Sequence, residues 1–359
     1  IAPSSDLEKS LVSIFAQVLN LEESKIGIND NFFELGGHSL LAVSLISKIN
    51  KRFYKSLSLE KVFSHSTVES LCKVIMSQDD VKFDILVPLK ENGKNTPIFA
   101  IPGAGGNVLD FKHLSEVIHE EQPLYGLQSV GLDGKLEKLE SIEEIAQVNI
   151  KAIKRIQPEG PYKIMGHSFG GLVAYEMVKI LLKQEDDIES VILLDVLVND
   201  NLNKESNTTN IKDNSTLQIY QYLVQRYNID LNMNNFDKLK VEEYDTIFLE
   251  KLKKQGFDIS KEIYETILSV FENNLNCMNS YNPKSIDEKL NIALFKAVNT
   301  SETTKNFNLQ PDYGWNELLS QSVDIYMTKG DHFSMLDKEN VDHLNLNIEN
   351  FYNGLNNDQ

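Results

Sequence analysis

Cysteine and positive charge are both scarce in this sequence of 359 residues. The two cysteines, Cys72 and Cys277, are far apart and lack the spacing of a metal site, which fits a reducing compartment. We interpret both as core residues and expect no metal site. Acidic residues outnumber basic ones by 53 to 35, for a net charge of -18. Such a surface repels phosphate backbones and anionic membranes, so nucleic acid is not expected as a partner.

Long apolar runs are absent as well. No run approaches the roughly 18 to 20 residues that a membrane span requires, and the amino end has no basic segment followed by an apolar one. We therefore expect a cytoplasmic protein that is neither secreted nor inserted in a membrane. The sequence begins with Ile1 rather than Met, and residues 1–5 read as an extended linker. We expect this chain to be a piece of a longer polypeptide.

The composition is that of a folded protein, with 41% hydrophobic and 25% charged residues. The length predicts one small domain and one of roughly 250 residues. In residues 6–78 apolar residues recur at helical spacing in three stretches, and no strand pattern is present. This segment is predicted to be a small all-α bundle. The polar residues 79–83 that follow it are predicted to be a linker.

After residue 83 short apolar runs alternate with helical stretches, which is typical of a largely parallel α/β sheet. We predict seven strands, over residues 85–89, 98–101, 124–127, 162–166, 191–194, 292–297 and 323–327.

The interval between residues 195 and 292 breaks this alternation, because it holds helical patterns and no convincing strand. The helical patterns lie near residues 220–227, 244–252 and 263–278. We interpret about 199–288 as a helical insertion that forms a lid. Residues 199–214, rich in Asn, Ser and Thr, are predicted to be a mobile loop.

The string Gly166-His167-Ser168-Phe169-Gly170 directly follows a predicted strand and begins an apolar helix. This context is that of a nucleophile elbow, a sharp turn that exposes the serine hydroxyl and admits only small residues two positions before and after it. We predict Ser168 as a nucleophile. The alternative is a glycine-rich turn with a helix-capping serine.

A serine nucleophile needs a base, and the base needs an acid that orients it. Asp195 ends a buried strand at the carboxyl edge of the sheet, where open α/β sheets place their sites. Glu302, after the next strand, is the other candidate for the acid. The alternative for Asp195 is a structural role as a helix cap. His332 follows the last strand, so the order Ser, Asp, His is that of α/β-hydrolases. The histidines assigned to packing or surface positions are His65, His113, His119 and His343.

Acyl transfer also requires hydrogen-bond donors for the oxyanion. The backbone N–H of Phe169, at the start of the helix, is one by geometry, and the glycine-rich loop 102–106 can supply a second, for which we choose Ala104. The alternative for this loop, a phosphate-binding turn, lacks the lysine and glycine spacing of such turns.

A second serine, Ser39, begins a helix after Gly36-Gly37-His38. This placement presents a hydroxyl at a helix amino end, where a negatively charged group is favoured. Leu41 occupies the position where an elbow requires glycine, so Ser39 is not a second hydrolase nucleophile. From these residues alone Ser39 reads as a helix cap.

Residues 30–42 resemble the core motif of peptidyl carrier proteins of nonribosomal peptide synthetases. Residues 84–357 resemble the thioesterase domains that end such synthetases, through residues 99–106, 166–171 and 330–333. The resemblance implies a four-helix carrier bundle over residues 6–78, followed by an α/β-hydrolase fold with a helical lid insertion. One departure is the Val-Leu-Val after Asp195, where a proline-bearing turn is expected.

The resemblance also implies roles for single residues. Ser39 would carry 4'-phosphopantetheine, and a peptidyl or aminoacyl thioester on that arm would pass to Ser168 and be released by hydrolysis or macrocyclisation. The implied triad is Ser168, Asp195 and His332, and the implied oxyanion hole is Ala104 and Phe169. Implied partners are upstream condensation and adenylation domains and a phosphopantetheinyl transferase. The alternatives are a carrier and thioesterase of a polyketide or fatty-acid line, and a non-catalytic docking module.

Overall fold

The computed structural model of the chain describes residues 1–37, 39–55, 57, 59–77, 83–135, 139–198, 219–220, 223–224, 241–255, 259–299 and 310–357. The chain divides into two units. The first comprises Ile1–Asp84 and Ile211–Leu268, and the second comprises Ile85–Asn210 and Ser269–Gln359.

The amino-terminal part of the first unit is helical, as predicted. Its α-helices are α1 (Asp6–Leu19), α2 (Ser39–Phe53), α3 (Glu60–Ser64) and α4 (Val68–Met76). The start of α1 is defined by a capping box, in which the Ser5 hydroxyl accepts the Glu8 N–H at 3.2 Å and the Glu8 carboxylate accepts the Ser5 N–H at 2.8 Å. No strand lies among the described residues from 1 to 77.

Helix α1 packs against α2 and α4. Phe15 of α1 and Phe32 of the loop before α2 are both fully buried and lie edge to face at 5.4 Å. Gly37 approaches the same ring so closely that a Cβ at this position would lie 2.4 Å from the Phe32 side chain. A residue with a side chain cannot occupy this position, so Gly37 allows α2 to begin directly against the core.

The second unit contains a sheet of seven strands in the order β1-β3-β2-β4-β5-β6-β7. Only β1 is antiparallel to its neighbour. The strands are β1 (Leu86–Lys90), β2 (Ile98–Ile101), β3 (Leu124–Leu127), β4 (Tyr162–His167), β5 (Ile188–Leu194), β6 (Ile292–Ala297) and β7 (Asp324–Thr328). Each of the seven predicted strands is confirmed, and the α/β class with it.

Strand β5 begins three residues earlier than the apolar run that predicted it. Its first residues, Ile188 to Ser190, are less apolar, but Ile188 lies opposite Tyr162 and Ser190 opposite Lys163 in the ladder with β4. Backbone pairing with a neighbouring strand extends β5 beyond the apolar run, and hydrophobicity alone does not report that pairing.

Helices cover both faces of the sheet, so its central strands are mostly buried, whereas the edge strand β7 is largely exposed. On one face, alternate strand residues such as Ile98, Ile192 and Phe295 pack against α5 (Lys112–Val117) and α10 (Val341–Asn357). Two further helices, α6 (Ile142–Ile153) and α7 (Phe169–Lys183), pack together, and α7 also packs on β2, β4 and β5.

Between β5 and β6 the chain contains helices α8 (Val241–Lys254) and α9 (Lys261–Ser280). They confirm the helices predicted near residues 244–252 and 263–278. The linker residues 79–82, the loop 199–214, most of the predicted helix 220–227 and Glu302 lie outside the described residues. Among the helices that are described, none is long and apolar enough to cross a membrane.

The buried strand positions predict a large stability difference between two isoleucines. Ile192 in β5 is 1% exposed, and Ile325 in β7 is 41% exposed. We expect Ile192→Ala to lower the free energy of unfolding by about 2–5 kcal/mol, because it leaves a cavity in the core. Ile325→Ala should cost less than about 1 kcal/mol.

Denaturant titrations followed by tryptophan fluorescence measure both values, because the buried Trp315 is the only tryptophan of the chain. Equal losses in the two variants would contradict the buried placement of Ile192.

Candidate active site

Ser168 lies in the turn between β4 and α7, with φ 52° and ψ -124°. A positive φ is unfavourable for a residue with a side chain, and such strain is typical of functional turns. A Cβ on Gly166 would lie 2.2 Å from the Gly170 carbonyl oxygen, and a Cβ on Gly170 would lie 2.2 Å from that of Ile101. The strand, the strained turn, the helix and the need for both glycines agree with the predicted elbow geometry.

The structure brings the three predicted residues Ser168, His332 and Asp195 together. Nε2 of His332 lies 3.0 Å from Oγ of Ser168, and Nδ1 of His332 lies 2.8 Å from Oδ2 of Asp195. Ser168 follows β4, Asp195 follows β5, and His332 follows β7. Ser168, His332 and Asp195 therefore form a hydrogen-bonded row where the carboxyl ends of three parallel strands meet.

Asp195 is held in place by several hydrogen bonds. Its N–H donates to the Phe295 carbonyl at 2.8 Å, and its Oδ1 accepts the Ala297 N–H at 3.0 Å and the Tyr313 hydroxyl at 3.5 Å. Burial acts to raise the pKa of Asp195, but the hydrogen bond and charge of His332, with the Ala297 N–H, outweigh it and lower the pKa. The group is therefore a carboxylate directed at His332, and these contacts do not support the helix-cap alternative.

His332 lies in a tight loop closed by the carboxylate of Asp331. This carboxylate accepts the N–H groups of Phe333 and Ser334 at 3.0 and 2.9 Å and the Ser334 hydroxyl at 2.7 Å. The side chain of His332 is 16% exposed. The loop therefore limits the movement of His332 but leaves part of the imidazole accessible to a substrate.

His167, for which the sequence predicts no role, is also part of this site. Its Nε2–H donates to the His332 carbonyl at 2.9 Å, and the two rings lie 5.1 Å apart. A carbonyl only accepts, so Nε2 carries the proton and Nδ1 is the bare nitrogen. Nδ1 is buried and has no hydrogen-bond partner among the described residues. Burial, and then the charge of His332, lower the pKa of His167 to about 4, so the ring is neutral.

The loop between β2 and the following helical turn lies next to Ser168. A Cβ on Gly103 would lie 3.7 Å from Cβ of Ser168, and the Gly106 N–H donates to the Gly103 carbonyl at 2.8 Å, which closes a turn around Ala104. Phe169 is the first residue of α7. The first N–H groups of a helix lack partners within it. Both predicted oxyanion donors thus belong to segments beside Ser168.

Ser39, in the first unit, is the first residue of the 15-residue helix α2. The first turn of α2 contains no acidic residue. The amino end of a helix whose first turn has no acidic residue favours a phosphodiester. The residues present therefore fit attachment of a phosphopantetheine group at this position.

Two family models match the chain. Residues 96–352 match the model described as thioesterase domain, and residues 9–75 match the model described as phosphopantetheine attachment site. Together they follow the order that the sequence resemblance implied.

Similar proteins are much longer. Malpibaldin synthetase of Mortierella alpina is 37% identical over 196 residues, which are 54% of this chain and 4% of that protein. Dimodular nonribosomal peptide synthase of Bacillus subtilis (strain 168) is 35% identical over 198 residues, which are 55% of this chain and 8% of that protein. The matched segment thus covers less than a tenth of the length of either relative.

Solved structures agree with the fold. The four-domain nonribosomal peptide synthetase holo-AB3403, bound to AMP and glycine, has a TM-score of 0.70 and 26% identity, covering 98% of this chain and 26% of that one. The NocB thioesterase domain has a TM-score of 0.54 and 17% identity, covering 75% of this chain and 100% of that one. The second likeness shows the fold alone.

The buried neutral His167 predicts a pH dependence of stability. The unfolded chain takes up a proton here near pH 6.5, whereas the folded chain does so only near pH 4. The contribution of the neutral ring is therefore complete above pH 6.5, is lost as the pH falls toward 4, and amounts to about 3 kcal/mol. His167→Gln cannot titrate, so we expect it to lose about 3 kcal/mol less than the wild type across this window.

Urea unfolding between pH 7 and pH 4 measures the difference, and His119→Gln at an exposed histidine is the control. Identical pH dependence of the wild type and His167→Gln would contradict the burial of a neutral ring at this position.

Proposed function

The chain belongs to the thioesterase domain family, and on this premise we propose that it is a serine thioesterase that releases the finished chain of a nonribosomal peptide synthetase. The observation that carries the proposal is the hydrogen-bonded row of Ser168, His332 and Asp195, in the same chain as a phosphopantetheine attachment domain. Relatives named as peptide synthetases support a peptidyl or aminoacyl thioester as substrate.

In the first half-reaction, Oγ of Ser168 attacks the thioester carbonyl while Nε2 of His332 takes its proton. The imidazolium formed is stabilised by the Asp195 carboxylate, which is ionised and 2.8 Å away. The tetrahedral intermediate then collapses, the C–S bond breaks, and His332 returns the proton to the leaving sulfur. The product is an acyl ester on Ser168.

In the second half-reaction, water, or an amine or hydroxyl of the acyl chain itself, attacks the ester. His332 accepts the proton of the attacking group and returns it to Oγ of Ser168. Water gives a free acid, and an internal nucleophile gives a macrocycle. We propose that the lid, about residues 199–288, determines which nucleophile reaches the ester.

Both tetrahedral intermediates place a negative charge on the former carbonyl oxygen. We propose that the backbone N–H groups of Ala104 and Phe169 bind this oxyanion. Each such donor contributes about 3–4 kcal/mol to transition-state stabilisation, because it is oriented before the charge develops.

We propose Ser39 as the attachment point of 4'-phosphopantetheine, in a carrier domain of residues 6–78 joined by the linker 79–83 to the thioesterase domain, 84–357. When attached, this group supplies the thiol that holds the acyl chain as a thioester. The start of α2 contributes a hydroxyl for the phosphodiester and a positive helix end for its charge. This use of Ser39 replaces the simple helix-cap interpretation.

The proposal implies upstream condensation and adenylation domains, a phosphopantetheinyl transferase and a cytoplasmic location. The names of the relatives favour a peptide line over a polyketide or fatty-acid line. The complete Ser168, His332 and Asp195 row argues against a non-catalytic docking module.

The two serines should be separable by substitution. Because a small soluble acyl thioester reaches Ser168 without a carrier, Ser39→Ala should hydrolyse it at the wild-type rate and lose turnover of carrier-bound chains. Ser168→Ala should lose both activities. Intact mass after incubation with coenzyme A and a broad-specificity transferase should show one added group in Ser168→Ala and none in Ser39→Ala.

A folded Ser39→Ala protein that fails to hydrolyse the soluble thioester would contradict this division of labour. Loaded Ser168→Ala should retain its acylated carrier, and rapid loss of that mass adduct would exclude Ser168 as the acceptor.

Asp195→Asn should lower the rate of thioester hydrolysis by about 10⁴, because the amide no longer holds the required tautomer of His332 or stabilises its charged form. Steady-state hydrolysis measures this loss, with circular dichroism as the check on folding. Glu302→Gln is the matched control and should retain the wild-type rate. A severe loss only in Glu302→Gln would transfer the role of the acid to Glu302.

A further inference from the structure

Asn274 of α9 is a buried polar residue that bonds outside its own helix. It is 3% exposed, and its side-chain amide Nδ2 donates to the Ala104 carbonyl at 2.8 Å and to the Ser129 hydroxyl at 2.9 Å. Ala104 belongs to the loop that was predicted to supply an oxyanion donor. One buried amide group therefore connects α9 to this loop.

The other bonds of the loop act on the same short segment. The Gly103 carbonyl belongs to the same peptide group as the Ala104 N–H, and it accepts the Gly106 N–H at 2.8 Å. The Gly106 carbonyl in turn accepts the Ser129 N–H at 2.9 Å. The peptide groups on both sides of Ala104 are thus hydrogen-bonded, one within the turn and one to Asn274.

Gly106 permits this arrangement. Its φ is 71°, and a Cβ there would lie 2.4 Å from the Ser129 hydroxyl oxygen. Any side chain at this position would therefore displace Ser129, one of the two groups that the Asn274 amide binds. The loop, Ser129 and Asn274 form one packed unit beside Ser168.

We propose that Asn274 is a positioning residue for thioester cleavage: it holds the Ala104 carbonyl so that the Ala104 N–H points at the developing oxyanion. This inference rests on the proposed function. An oxyanion donor is effective only when it is oriented before the charge develops, and a displacement of about 1 Å can cost on the order of 10² in rate. Asn274 does not touch the substrate and acts through Ala104.

The neighbouring Asn273 offers a matched control. Its amide also donates to a backbone carbonyl, that of Leu139 at 3.0 Å. Asn273 and Asn274 lie on the same helix and line the same small cavity, together with Phe169 and Ile101. Asn273 differs in that its backbone partner lies outside the loop around Ala104. If substitution acts through the general packing of α9, variants at both positions should lose activity. If it acts through the oxyanion donor, only the Asn274 variants should lose activity.

The test compares Asn274→Leu, Asn274→Asp and Asn273→Leu in the full chain, with an aminoacyl N-acetylcysteamine thioester as substrate. We expect Asn274→Leu to lower kcat by about 10- to 100-fold with KM changed less than about threefold, because the donor acts on the transition state. Asn274→Asp should lose more, because a carboxylate repels the Ala104 carbonyl. Asn273→Leu should stay within about threefold of the wild type in kcat.

Phenylboronic acid provides a second readout, because its adduct with Oγ of Ser168 carries a tetrahedral negative charge. Its inhibition constant should rise about tenfold in Asn274→Leu and remain unchanged in Asn273→Leu. If Asn274→Leu does not fold, Asn274→Ser, whose side chain is too short to reach the Ala104 carbonyl, should show the same loss of kcat.

Wild-type kcat in folded Asn274→Leu or Asn274→Ser, or equal losses in the Asn273 and Asn274 variants, would overturn the positioning role while the proposed function stands. Wild-type hydrolysis by Ser168→Ala would overturn both, because no oxyanion would then form beside Ala104.

Discussion

The contact between the turn at Ser168 and the loop after β2 is the constraint on which the site depends. A Cβ on Gly170 would lie 2.2 Å from the Ile101 carbonyl oxygen. The backbones of the start of α7 and the end of β2 are therefore in direct contact. This approach brings the loop around Ala104 next to the strained Ser168 and the first N–H of α7. A larger side chain at Gly170 would separate Ser168 from the loop around Ala104.

Parallel strands extend this constraint to the remaining groups. Because β4, β5 and β7 end at one edge of the sheet, residues far apart in the chain lie within hydrogen-bond distance there. Burial then sets their charges. Asp195 stays ionised because the hydrogen bond and charge of His332, with the Ala297 N–H, outweigh the effect of burial. His167 stays neutral because burial, and then the charge of His332, lower its pKa. The Asp195 carboxylate therefore faces the His332 ring, and the neutral His167 ring contacts the His332 carbonyl.

Close glycine packing serves the first unit in a similar way. Gly37 lies against the ring of Phe32, and α2 begins two residues later at Ser39. The amino end of a long helix is thereby anchored to the core of a small bundle. An attached phosphodiester would meet a helix end whose position is determined by packing.

The sequence alone predicted much of the fold and of the candidate active site. Alternation of apolar runs and helical stretches predicted all seven strands, and the elbow string predicted the turn at Ser168, because both signals are local and follow from backbone geometry. The positions of Ser168, Asp195 and His332 directly after strands predicted that these residues would meet, with Glu302 left open as an alternative to Asp195. Only the tertiary structure decided the contacts between distant segments: His167 with the His332 carbonyl, Asn274 with the Ala104 carbonyl, and the extension of β5 by pairing with β4. Such contacts depend on how helices and strands pack in three dimensions, and a polar residue in an apolar segment does not reveal in sequence which distant carbonyl it will bind.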